Sequence, residues 1–333
     1  MDRMEFTQAV TSTRVLENRL LKAPTIERMV EAKDVEEVLR ILGDTEYAEA
    51  VSAGAKDNNY EDILTFEHIR IYKLMREISP DNEAVDLMAL KYDFHNIKVM
   101  LKEKIMGEDL SHLYIPFGTV NLKRLKMFFA AGDIKSIEPK FRKPIEAVLA
   151  DYEENRDPQR IDILVDRYYF RVLYNLAEES GIELFINYIK DGIDFLNVTT
   201  AIRLKKQGKD AKFFKDVVLF NGNIDKDDII ASLNDTLDVM ITKFKNVRIS
   251  SDLIKGLEEY QQTGQLSKID KHMENHLMKL NKPSKSIVFG PEPIFSYLVA
   301  KEAEIKTIRL IIVSKNNNIS PQAIRERLRD LYV

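Results

Sequence analysis

Apolar residues recur at helical spacing along almost the whole chain. Between 83 and 104, Leu87, Leu90, Phe94, Ile97 and Leu101 fall three and four positions apart, which puts them on one face of a helix. The same periodicity predicts a helix over 5–22. It predicts two short helical pieces within 25–43, with Asp34 capping the second, and a further helix over 59–78 through Ile63, Phe66, Ile69 and Tyr72. Ser79-Pro80 reads as the next helix start, since proline at the first helical position loses an N–H that would have no partner anyway. Two runs, VVLFNG at 217–222 and SIVFG at 286–290, have β-like composition but are too short to support a sheet. The expected fold class is all-α.

The pattern also repeats at long range. Asp93, Asn96, Ile97, Leu101 and Lys104 reappear ~101 positions on as Asp194, Asn197, Val198, Ile202 and Lys205. A third set is Glu304, Thr307, Ile308, Ile312 and Lys315, in the same order of acid, small polar residue, two apolar residues and lysine. A second element follows each set. Val120-Asn121, Ile224-Asp225 and Ile319-Ser320 each pair an aliphatic residue with a good N-cap residue. Such a cap accepts a hydrogen bond from an early helix amide, and the aliphatic residue before it staples onto the fourth helical position. A third, looser element precedes both, in the stretches from Glu67, Asp166 and Asp270. Two elements in one order, three times each, predict three similar helical units, with boundaries near 1–110, 111–218 and 219–333. Units of this size are too large for a solenoid repeat, and three of them are expected to close around a pseudo-three-fold axis.

Charge narrows the function. The 54 acidic and 50 basic residues leave a net charge of -4, which disfavours a general grip on nucleic acid. There are no cysteines, so disulfides, thiolate metal sites and cysteine nucleophiles are excluded together. No apolar run approaches the ~18 residues of a spanning helix and no signal-like segment opens the chain. A cytoplasmic protein without direct lipid anchoring is expected.

Candidate chemistry is sparse. His272 and His276 stand four apart, but Met273 occupies the place where a zinc-protease helix needs its glutamate. The Gly54-Ala55-Lys56 run lacks the glycine spacing that cradles phosphate. No cofactor, metal or catalytic residue is assigned. The repeated acids Asp93, Asp194 and Glu304 are the candidate functional positions. They either pair with lysine or arginine on a solvated face, or line one common surface as an interface.

Two stretches carry a family resemblance: ALKYDFHNIKVMLKEK at 89–104 and, above all, GPEPIFSYLVAKEAEIKTIRLIIVSKNNNISPQAIRERLRDLYV at 290–333. They resemble the C subunit of the V-type (A/V-type) rotary ATPases, the prokaryotic relative of the eukaryotic d subunit. The amino-terminal helix lacks the tyrosine-rich opening usual there. The resemblance implies a funnel of three helical domains at the base of the central rotor. Its expected partners are the central axle subunits on one side and the cytoplasmic loops of the membrane rotor ring on the other. It implies torque transmission without chemistry of its own, at a location peripheral to the membrane. The competing class is a helical scaffold or adaptor unrelated to rotary ATPases. That class accounts for composition and repeat but not for the long carboxy-terminal match.

Overall fold

A computed structural model describes residues 2–54 and 59–333, so Lys56 of the Gly-x-Lys run lies outside the described residues. Among the described residues all regular structure is helical, and the β-like runs at 217–222 and 286–290 form no strand. The chain divides into two compact units, Met1–Met88 with Glu274–Val333, and Ala89–Met273.

The first unit takes both ends of the chain. Its amino-terminal helices are α1 (Thr7–Glu17), α2 (Ala23–Glu31), α3 (Val35–Gly43), α4 (Ala48–Gly54) and α5 (Tyr60–Ile78). Asp34 caps α3 as the sequence predicts, accepting from the Glu37 amide. Helix α6 (Glu83–Met106) then runs into the second unit. Its start differs from the expected Ser79-Pro80. The Ser79 amide donates to the Met75 carbonyl at 3.1 Å and closes α5. Proline forces the residue before it into extended backbone, which suits the end of one helix better than the cap of the next. The cap falls to Asp81, whose carboxylate accepts from the Glu83 amide at 3.1 Å.

The second unit continues with α7 (Leu122–Ala130), α8 (Pro139–Asn155), α9 (Gln159–Ser180) and α10 (Glu183–Lys206). It ends with α11 (Ala211–Val217), α12 (Lys226–Ala231), α13 (Leu237–Lys243), α14 (Ser250–Thr263) and much of α15 (Ser267–Asn281). The chain then returns to the first unit as α16 (Glu292–Asn316) and α17 (Pro321–Arg327).

The cores follow the apolar faces. In the second unit, Phe195, Val198 and Ile202 of α10 pack with Ile229 of α12, Met240 of α13 and Leu253 and Leu257 of α14. Phe94 of α6 meets Phe141 of α8 and Tyr169 of α9 at ring-centroid distances of 5.7 and 5.5 Å, within the range of favourable aromatic pairs. In the first unit Ile305, Ile308, Ile311 and Ile312 of α16 pack with Met29 and Val30 of α2 and Val38 and Leu42 of α3. Thus α16 is covered by helices from the opposite end of the chain, and α1 packs along it as well.

Candidate functional site

The three repeated acids occupy matching places on α6, α10 and α16, and the chain buries all of them. Asp93 and Asp194 are 1% exposed and Glu304 is 5% exposed. A buried carboxylate must find donors, because desolvating it without them is costly. Asp93 finds them in the turn before α7. It accepts from the Thr119 amide at 2.7 Å, the Thr119 hydroxyl at 2.6 Å and the Val120 amide at 3.3 Å. Asp194 does the same before α12, accepting from the Asn223 and Ile224 amides at 3.0 Å each and the Asn223 side chain at 3.1 Å.

One helical turn further on, an asparagine holds the same loop at a second point. Asn96 donates to the Ile115 carbonyl at 2.7 Å and accepts from the Ile115 amide at 2.8 Å. Asn197 makes the matching pair with Leu219 at 2.9 and 2.8 Å. The Asp-x-x-Asn spacing is therefore a two-point clamp on a loop, because residues three apart share a helix face. The loop must come close to be held. A Cβ at Gly118 would sit 2.0 Å from an Asp93 oxygen, and one at Gly222 would sit 2.1 Å from an Asp194 oxygen.

The clamped residues lead directly into the staple and cap. Asn121 accepts from the Arg124 amide at 3.1 Å and Asp225 from the Asp227 amide at 2.7 Å, each opening the next helix. The two sequence elements that looked separate are one device: acid and asparagine on a long helix, glycine-led turn, cap, short helix.

The third copy departs from the expected pairing. Ser320 caps α17, but Glu304 does not hold the turn before it. Geometry forbids it. From Glu304 to the end of α16 is about 18 Å at 1.5 Å per residue. The few residues between Asn316 and Ser320 can retrace only about 13 Å. The corresponding linkers after α6 and α10 are several times longer and do turn back. Instead Ile319 donates to the Ser314 carbonyl and closes the end of α16, with Asn318 left-handed at φ 54°. Glu304 takes the amide of Leu21, the turn before α2, from the other end of the chain.

Glu304 also accepts from the Tyr47 hydroxyl and the Lys301 ammonium, both at 2.8 Å. Lys301 reaches Glu67 at 2.8 Å, and Glu67 pairs with Arg70 at 2.7 Å. Burial pushes the Lys301 pKa down, but Glu304 and Glu67 outweigh it and raise it overall. A second link ties the ends together nearby. Tyr332 donates to Glu17 at 2.9 Å, and Glu17 pairs with Arg14 at 2.6 Å.

Without an opposing cation at such range, Asp194 titrates differently. Burial lifts its pKa to about 6, against the pull of its amide donors, and the Asp191 charge adds to the rise. Burial raises Asp93 in the same direction. A carboxyl whose pKa is higher folded than unfolded binds its proton more tightly when folded, so its contribution to stability falls as pH rises through that window. Wild-type stability minus that of Asp194→Asn should therefore decline between about pH 4 and pH 6 and level off above. Chemical unfolding at several pH values checks this, and a difference that stays flat or rises would refute the assignment.

For these acids the sequence predicts either an ion pair with lysine or arginine on the same or a neighbouring helix, or a common surface. Glu304 does pair with Lys301 on its own helix, in a buried network rather than on a solvated face, whereas Asp93 and Asp194 are held by backbone amides. Nothing in the sequence pattern marks Lys301, and Glu67 stands out only as the start of a repeated stretch. A usable signal existed for the glycines, since Gly-polar-aliphatic-cap occurs at 118–121 and again at 222–225. Elsewhere, His272 meets Glu259 at 2.9 Å. No three His, Cys, Asp or Glu among the described residues gather where they could hold a metal. What the clamps do is mechanical. Each fixes the start of a short helix against a long one.

Over 329 residues, 99% of both chains, the sequence is 29% identical to the C subunit of the V-type sodium ATPase of Enterococcus hirae. It is 24% identical to the C subunit of the A-type ATP synthase of Methanocaldococcus jannaschii, covering 95% of this chain and 84% of that one. It is likewise 24% identical to the C subunit of the A-type ATP synthase of Thermococcus kodakarensis, covering 94% and 87%. Residues 9–327 match the profile of the ATP synthase (C/AC39) subunit family, so the chain belongs to that family, the C subunits of V-type and A-type rotary ATPases.

Proposed function

We propose that this chain is a non-catalytic connector in the central rotor of a rotary ATPase. It links the axle subunits to the cytoplasmic loops of the membrane rotor ring and carries torque between ATP hydrolysis or synthesis and ion movement. The observation that carries this reading is the acid-held turn: Asp93 and Asp194 hold the turns before α7 and α12, and Glu304 holds the turn before α2. A torque coupler must resist shear, and short helices free to pivot on their loops would yield. Acid-held turns remove that freedom, and the Glu304–Leu21 clamp ties the two ends of the chain to each other. Asp93, Asp194 and Glu304 act on the contact surfaces from beneath, by holding the turns that present them.

The repeat supports three copies along the chain, near 1–110, 111–218 and 219–333. The amino-terminal helices α2 and α3 complete the third. No described helix is long and apolar enough to cross a membrane, in keeping with attachment through the complex. The unrelated-scaffold reading has no observation in its favour, since the family match spans almost the whole chain.

The test is omission. A rotary complex reconstituted in vesicles without this chain should keep most ATP hydrolysis by its soluble motor and lose ATP-driven ion transport. Transport at an unchanged ratio of ions per ATP would overturn the proposal.

A further inference from the structure

The short-helix modules that follow the three acid-held turns differ in charge. The module after the Asp93 clamp, residues 122–143, has seven Lys and Arg against two Asp and Glu. The module after the Asp194 clamp, 226–250, has four of each. The module after the Glu304 clamp, 23–47, has three basic against seven acidic residues.

In the basic module the charge is left open. Lys140 pairs with Glu138 and Arg142 with Glu146 at 3.3 and 3.8 Å. Lys123, Arg124, Lys126, Lys135 and Lys143 have no carboxylate within ion-pair distance among the described residues. Of these cations Arg124 lines a groove of about 270 Å³ between α7 and the start of α8, and the others belong to the same module. Phe128 and Phe141 form its apolar wall, while Asn121, Arg124, Ser136 and Glu138, the last paired with Lys140, give it polar edges. Phe128 is half-buried beneath the Arg124 guanidinium at 5.3 Å, and Met127 beside it is 59% exposed.

Building on the connector reading, we propose that this groove receives an acidic segment of another subunit of the rotary assembly, anchored by an apolar side chain between Phe128 and Phe141. Charge complementarity selects the occupant: Arg124 in the slot and the excess of cations across the module favour carboxylates flanking one hydrophobic residue. A bilayer is the poorer fit. Helix α7 has nine residues and presents Met127 alone as a large exposed apolar side chain, whereas an interfacial helix needs a broad apolar face. Because the second and third modules lack the excess of cations, the contact is made at one module of the three.

The experiment places a photo-cross-linking amino acid at Met127 in the full chain, assembles it into the intact complex, and reads the cross-linked peptides by mass spectrometry. The expected capture is a segment of another subunit in which Asp and Glu outnumber Lys and Arg. Reversing Lys123, Arg124 and Lys135 to Glu should cut its yield roughly tenfold, since three weak surface charge contacts are lost together and turned repulsive. The same reversal at Lys226 and Lys243 should leave it unchanged. The reversed α7 is expected to fold, because acids in a first helical turn are favourable. Independently of any variant, the wild-type yield should fall between about 0.05 and 0.5 M salt. Capture of a neutral or basic segment, of lipid or of a second copy of this chain would overturn the proposal, as would a yield indifferent to reversal and salt. If the labelled chain does not assemble with the rotary complex at all, the connector reading fails instead.

Discussion

Replacing Glu304 by alanine is expected to lower stability by about 3–5 kcal/mol, the range for removing one member of a buried ionic group. The loss has three parts. The Leu21 amide, the Tyr47 hydroxyl and one contact of the Lys301 ammonium lose their acceptor at once. Lys301 is 2% exposed and cannot turn to water for a replacement. It keeps Glu67, which Arg70 already shares. Glu304→Gln should recover part of the loss, since its carbonyl can still accept from Leu21 but brings no charge to Lys301. Adding Lys301→Met to Glu304→Gln should cost less than the two single changes together, because the cation that wanted a partner is gone. Chemical unfolding of wild type and the four variants gives these energies. Limited proteolysis gives a local readout, with cleavage near 18–22 accelerated first. An alanine variant within 1 kcal/mol of wild type, or a glutamine variant no better than alanine, would show that the clamp is not what joins the ends.

Gly118→Ala and Gly222→Ala should each destabilise by about 1–3 kcal/mol, the usual range for overpacking a tight site. The added methyl group would lie 2.0 Å from Asp93 Oδ1 or 2.1 Å from Asp194 Oδ1, so either the turn or the carboxylate must move. Moving the carboxylate breaks the hydrogen bonds that hold Thr119 and Val120, or Asn223 and Ile224. The conflict is one of space, since neither glycine has a positive φ. Gly43→Ala is the control. The nearest atom to its Cβ is 3.9 Å away and its backbone is helical, so alanine there should be neutral or stabilising by up to about 1 kcal/mol. Thermal unfolding of the three variants separates crowding from a general effect of alanine. Equal behaviour at all three positions would dismiss the clamp geometry.

Much of this protein was legible in its residues, because helices are largely local objects. The spacing of Leu87, Leu90, Phe94, Ile97 and Leu101 marks a face of α6 that the structure buries. The caps at Asp34, Asn121 and Asp225 act within three residues of themselves, so composition and position suffice to find them. The error at Ser79-Pro80 was also local. Proline after a polar residue serves at either end of a helix, and only the Ser79–Met75 hydrogen bond decides which.

The acids mark the boundary of that legibility. Their recurrence as Asp93, Asp194 and Glu304 was visible as spacing along helices, but what each carboxylate touches is a matter of long-range approach. Asp93 and Asp194 bind turns 26 to 30 residues away, and Glu304 binds an amide 283 residues away. In a chain that is 31% charged, Lys301 and Glu67 look like any other solvated pair until the packing of α5 against α16 removes their water. Helices, caps and repeat follow from residue order, because neighbouring residues settle backbone conformation. Which turn each acid holds is settled in three dimensions, because it depends on whether the linker after the helix is long enough to reach back. For α16 it is not, and the two ends of the chain meet there instead.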